Sequence, residues 1–177
     1  MSILITVPHA GCFSRPMTRH CDIISEKAAL NLLSFLPESE IIIGRAYRET
    51  LDLNRDESLD HPFRKEIREI VQEINPNIVL DIHSFPDGSD YFGDTDLTIL
   101  DEKPGTSYGE DLFRYLEAET TYHIGYFPGI KNSIMREMRD MGIPCLLIEY
   151  SEALHENDIT TLNEVIVEWL VFSVTYM

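Results

Sequence analysis

Short apolar runs rich in β-branched residues recur at Ile3 to Val7, Ile41 to Ile43, Ile78 to Ile82, Leu97 to Leu100 and Cys145 to Ile148, and most are bounded by Pro, Gly, Asp or Asn. Between them lie segments whose apolar residues return at helical spacing: Asp22 to Leu36, His61 to Ile74 with Pro62 suited to a first helical turn, Ser107 to Glu117, Asn132 to Met141, and Asp158 to Val174. Strands that alternate with helices join in parallel through crossovers, so this order predicts an α/β fold: one domain over 1–177, with a mixed, mostly parallel central sheet flanked by helices. The near-continuous apolar runs Ile78-Val79-Leu80-Asp81-Ile82 and Pro144-Cys145-Leu146-Leu147-Ile148 suit central strands covered on both faces. Ligands of such sheets collect beyond the carboxyl ends of the strands. That directs attention to His9, to Asn54-Arg55, to His83 through Pro86 and to Glu149.

The chain is 177 residues long and 44% apolar, enough for a core without disulfide or metal staples. Asp and Glu outnumber Lys and Arg 31 to 14, a net charge of −17 that argues against nucleic acid or an anionic membrane surface as partner. The three cysteines, Cys12, Cys21 and Cys145, lack CxxC spacing and predict free thiols in a reducing cytoplasm. No basic leader precedes Ile3, and no apolar stretch reaches the roughly 20 residues that span a bilayer, so a cytoplasmic protein is expected. The C-terminal run Val165 to Phe172 is apolar on nearly every side and is expected to be buried, mainly by the core.

His9 follows a strand and a proline and precedes Ala10-Gly11, small residues that leave its imidazole uncovered. His83 repeats the arrangement with Asp81 two positions earlier, and strand alternation puts both side chains on one face, where the carboxylate can orient the imidazole. Two imidazoles at strand ends suit a metal, and a catalytic zinc takes three protein ligands and keeps one position open. Near His9 the third ligand is Cys12, Asp22 or Glu26. Arg48 and Asn54-Arg55 place two guanidiniums and an amide within eight residues, a pattern that suits a carboxylate-bearing substrate. An ion-pair network with Asp52, Asp56 and Glu57 would explain the same residues. Glu149 closes the most apolar run of the chain, where burial raises a carboxyl pKa toward the range of a general base. Tyr126 and Lys131 flank the turn Phe127-Pro128-Gly129 and stand within possible reach of a site.

Taken in order, Val7-Pro8-His9-Ala10-Gly11, Arg48 with Asp52-Leu53-Asn54-Arg55, Asp81-Ile82-His83-Ser84 and Ile148-Glu149 resemble the N-formylglutamate amidohydrolase family, relatives of the zinc carboxypeptidases and aspartoacylases. The resemblance covers roughly residues 3 to 150. It implies a carboxypeptidase-like α/β fold and one zinc per chain held by His9, His83 and a nearby acid. Carboxypeptidase-like members place a glutamate three residues after the first histidine, where this chain has Cys12; the amidohydrolase pattern favours Asp22 over Glu26 and Cys12. The implied reaction removes an N-formyl or N-acyl group from a small acidic amino acid such as glutamate, with Glu149 as general base and Arg48 on the oxyanion. Asn54, Arg55 and Tyr126 would contact the substrate. Zinc carboxypeptidase, cell-wall peptide amidase and a non-catalytic binder of an acidic ligand are the alternatives.

Overall fold

The computed structural model describes residues 1–11, 21–46, 48, 50–102, 107–130 and 132–174. Six strands form one sheet: β1 (Ile3–Val7), β2 (Glu40–Ile43), β3 (Ile78–Phe85), β4 (Leu97–Asp101), β5 (Ile124–Pro128) and β6 (Cys145–Ser151). Their spatial order is β2-β1-β3-β6-β4-β5. All neighbours run parallel except β4 and β6, so the sheet is mixed and mostly parallel, as the sequence suggests. Among the described residues, five α-helices flank it: α1 (Ser25–Phe35), α2 (Pro62–Ile74), α3 (Ser107–Glu119), α4 (Ser133–Asp140) and α5 (Glu156–Val174).

Side-chain alternation divides the sheet into two faces. Ile3, Ile5, Val7, Ile78, Leu80, Ile82, Leu146, Ile148 and Tyr150 pack with α1, α3 and α5. Leu4, Ile42 and Val79 pack on the opposite face with Phe63, Ile67 and Val71 of α2 and Ile134 and Met138 of α4. Within α5 the core takes Ile166, Trp169 and Leu170, whereas Val171 and Phe172 are exposed, which corrects the expectation that the whole apolar run is buried. Cys21 is disulfide-bonded, which corrects the expectation of free thiols. Cys145 is a free thiol whose pKa burial pushes up. Cys12 and Lys131 lie outside the described residues. No helix among the described residues is long and apolar enough to cross a membrane.

From β1 the chain passes outward to β2, then returns across β1 to β3. The strand order therefore reverses between β1 and β3, which opens a crevice beyond their carboxyl ends. His9 leaves β1 on one side of this crevice, and His83 stands near the end of β3 on the other. Glycine is required where the β1 and β2 exits cross: a Cβ at Gly11 would lie 2.6 Å from the Ala46 carbonyl oxygen, and one at Gly44 2.5 Å from that of Pro8.

Candidate metal centre

His9, Asp22 and His83 are each buried, and their ligand atoms lie within 4.8 Å of one another. His9 Nδ1 is 3.3 Å from His83 Nδ1 and 3.4 Å from Asp22 Oδ2, which lies 2.7 Å from His83 Nδ1. A tetrahedral zinc at roughly 2.0–2.1 Å from each ligand sets its ligand atoms about 3.3 Å apart, so the triangle is close to the size such an ion needs. Asp22 Oδ2 is buried, yet neither imidazole is aimed to make a hydrogen bond with it. A buried carboxylate oxygen facing two ring nitrogens without a well-formed hydrogen bond is the observation by which these residues fit a divalent cation.

Each imidazole is gripped from behind. His9 Nε2 is 2.8 Å from Asp52 Oδ1, and His83 Nε2 is 3.2 Å from Asp81 Oδ2. A metal on each Nδ1 leaves the proton on each Nε2, where these carboxylates accept it. Asp81 is fully buried and held in turn by Thr6 Oγ1, which donates to Oδ1 at 2.7 Å, and by the Asn54 and Asn132 amides, which donate to Oδ2 at 3.3 Å each. Burial alone would raise the carboxyl pKa of Asp22, Asp52 and Asp81; the facing imidazoles outweigh it and hold all three below the usual range. His83 moves the other way: burial lowers its pKa, but Asp81 and Asp22 lift it well above the ordinary imidazole value.

Asp22 is placed by the loop ahead of α1, not by the helix. The helix begins at Ser25, its N-cap is Ile24, and the Asp22 backbone N–H donates to the His9 carbonyl at 3.2 Å. The alternative ligand Glu26 points away and forms a two-pronged ion pair with Arg45.

Glu149 pairs in register with His83 on the adjacent strand and presents its side chain to the same face. Burial pushes its pKa up to about 7; His83 opposes the rise and Asp22 adds to it. Arg48 reaches the cluster, with Nη1 donating to Asp22 Oδ1 at 3.3 Å and Nε 3.6 Å from Asp52 Oδ2. Arg55 lies at the rim, 62% exposed, with Nε donating to Asp52 Oδ2 at 3.4 Å.

Two expected substrate contacts need correction. Asn54 is buried, with Nδ2 donating to Asp81 Oδ2 at 3.3 Å and standing 2.7 Å from His83 Nε2, so its amide is turned toward the carboxylate that backs the histidine. Tyr126 sits three strands from β3, about 14 Å away at the usual strand spacing. Its partner Ile99 aligns with Ile148, one position out of phase with Glu149, so the ring faces the opposite helices and stacks on Phe113 with centroids 5.6 Å apart.

Asp52 stands in the sequence as an ion-pair partner and as part of the Asp52-Leu53-Asn54-Arg55 segment, with no sign that it backs His9, and Thr6 and Asn132 carry no functional expectation. A threonine within an apolar strand and an asparagine immediately before a helix are the available signals; Asn132 is also the α4 N-cap, accepting from Met135 N–H at 3.0 Å.

No protein-family model matches the chain, and no curated protein sequence matches it. Solved structures do. The gene product Atu2144 from Agrobacterium tumefaciens superposes with a TM-score of 0.73 at 15% identity, covering 96% of this chain and 87% of that one. The N-formylglutamate amidohydrolase from Ralstonia eutropha JMP134 gives 0.69 at 13% identity, covering 96% and 93%. The catalytic domain of the N-acetylmuramoyl-L-alanine amidase CwlV from Bacillus (Paenibacillus) polymyxa var. colistinus gives 0.59 at 16%, covering 97% and 99%. At such identities the likeness is one of architecture, and nearly the full length of this chain has the fold of the N-formylglutamate amidohydrolase and the amidase.

Proposed function

We propose that the chain is a zinc-dependent amidohydrolase that removes an N-formyl or N-acyl group from an acidic amino acid such as glutamate. The observation that carries this reading is the meeting of His9 Nδ1, His83 Nδ1 and Asp22 Oδ2, with a carboxylate behind each imidazole. His9, His83 and Asp22 would hold the ion, which when bound supplies a Lewis acid and lowers the pKa of water. The side chains do the rest. Glu149, with its pKa raised to about 7, takes a proton from the attacking water as the oxygen adds to the amide carbon. As the C–N bond breaks, Glu149 returns that proton to the leaving nitrogen, so the products are a carboxylic acid and a free amino acid. Arg48, held between Asp22 and Asp52, would stabilise charge developing on the carbonyl oxygen. Arg55 at the rim would hold the substrate's carboxylate, a local exception in a protein of charge −17.

Elemental analysis of protein purified without added metal should find about one zinc per chain, the stoichiometry of a single three-ligand site. A screen of N-formyl, N-acetyl and peptide derivatives of Glu and Asp should then show turnover that a chelator abolishes and zinc restores. Zinc-dependent cleavage of peptide derivatives alone would move the assignment to a peptidase or peptide amidase. Metal-free protein that binds acidic ligands without cleaving them would overturn it.

A further inference from the structure

Arg64, on α2, is fully buried. A guanidinium is held in an interior only if its donors find acceptors, and here all five do. Nε donates to Glu137 Oε2 at 3.1 Å; Nη1 donates to the Leu53 carbonyl at 3.2 Å and to Ser133 Oγ at 3.0 Å; Nη2 donates to the Ser133 carbonyl at 3.2 Å and also to Glu137 Oε2. The apolar core on this side of the sheet does not call for such a residue, since Phe63, Ile67, Ile134 and Met138 already share one cluster there with Leu4 and Val79.

What the fork joins is more telling. Leu53 precedes Asn54 and Ser133 follows Asn132, and these are the two asparagines whose amides meet on Asp81 Oδ2. The two segments also touch directly, Ser133 N–H donating to the Asn54 carbonyl at 3.4 Å. We infer that Arg64 is a positioning residue for the metal centre: its planar fork sets the spacing of the two segments that hold Asp81, and Asp81 holds the ring of His83. Lysine could not replace it, because one ammonium cannot present a planar set of donors to two carbonyls and a hydroxyl. The inference rests on the metal reading above, with zinc affinity as its readout.

The test is zinc affinity by chelator competition on Arg64→Lys and Arg64→Met, with Ile67→Ala on the same helix as a control for lost stability. The visible spectrum of the cobalt-substituted proteins reports ligand geometry. Both Arg64 variants should lose about 10- to 100-fold in affinity, the range for disturbed outer-shell partners. Their cobalt spectra should change, while Ile67→Ala, at a comparable loss of melting temperature, should keep wild-type affinity and spectrum. If the Arg64 variants do not fold, Ser133→Ala removes one hydroxyl acceptor and should still weaken zinc several-fold. Affinities and spectra matching the Ile67→Ala control, or an unchanged Ser133→Ala, would overturn the inference and leave the metal reading intact. A wild-type chain that takes up no zinc would overturn both.

Discussion

The two faces of the central sheet are made by the same strands, yet they differ in kind. Toward α1, α3 and α5, the strands present Ile5, Leu80, Ile82, Ile148 and Tyr150, a mostly apolar surface whose Tyr150 hydroxyl donates to Asn163 Oδ1 on α5. Toward α2 and α4, the same strands begin with Leu4 and Val79 but change near their carboxyl ends to Thr6, Asp81, His83 and Glu149. A period of two lets one strand insulate on one side and bear charge on the other. Charge is tolerated around Asp81 because its groups answer one another, Thr6 and two amides meeting Asp81 and Asp81 meeting His83, whereas Glu149 is kept by a raised pKa instead.

Substitutions on either face should separate these roles. The largest contrast is expected between His83→Ala and Leu80→Ala. Losing His83 should abolish zinc uptake while leaving the fold in place, because the strand keeps its apolar side. Losing the buried Leu80 should cost about 2–5 kcal/mol of stability and leave zinc stoichiometry unchanged in the protein that remains folded. Chemical denaturation alongside metal analysis decides it; full zinc occupancy in His83→Ala would remove that residue as an essential ligand.

The next effect in size concerns Glu149. Glu149→Gln should keep the metal and lower turnover by about 10²- to 10⁴-fold, the usual contribution of a positioned base. Activity should rise with pH through about 7 as the carboxyl gives up its proton. Stability has the opposite sign. The folded pKa of about 7 lies above the ordinary 4.5, so the native state binds the extra proton between these values. The metal-free protein should therefore lose stability relative to Glu149→Gln as pH climbs through that window. Parallel stability curves for the two proteins from pH 4 to 8 would mean that the carboxyl is not desolvated.

Much of this contrast is legible in the sequence, and what is not has physical causes. The 2-residue step from Asp81 to His83 suffices to place both on one face, and the apolar runs suffice for the mixed sheet. β5 escapes notice because Ile124-Gly125-Tyr126-Phe127-Pro128 mixes strand formers with Gly and Pro, a composition tolerated at a sheet edge, where β5 lies. Tyr126 is misplaced for the same reason: without β5 there is no register to show that its ring faces away from Glu149. Asn54 and Arg55 are read together as substrate contacts, yet a turn closed by the Arg55 N–H on the Asp52 carbonyl separates them, with Asn54 turned in toward Asp81 and Arg55 out to solvent. Asp52 is hidden because its partner lies 43 positions earlier, a pairing that only the crossing of the β1 and β2 exits creates.

The smallest expected difference is between the two carboxylates behind the imidazoles. Asp81 is sealed from solvent, and its hydrogen bonds come from strand β1, the loop after β2 and the start of α4. Asp52 is 18% exposed and shared among His9, Arg48 and Arg55. Neutralising either weakens its hold on an Nε2 proton, but water can reach Asp52 and cannot reach Asp81. Outer-shell losses typically run from about 10- to 100-fold in metal affinity, so Asp81→Asn should fall near the upper end and Asp52→Asn near the lower. Measured by the same chelator competition, an Asp52→Asn loss equal to or larger than that of Asp81→Asn would show that burial of the supporting carboxylate does not govern how firmly the imidazole is held.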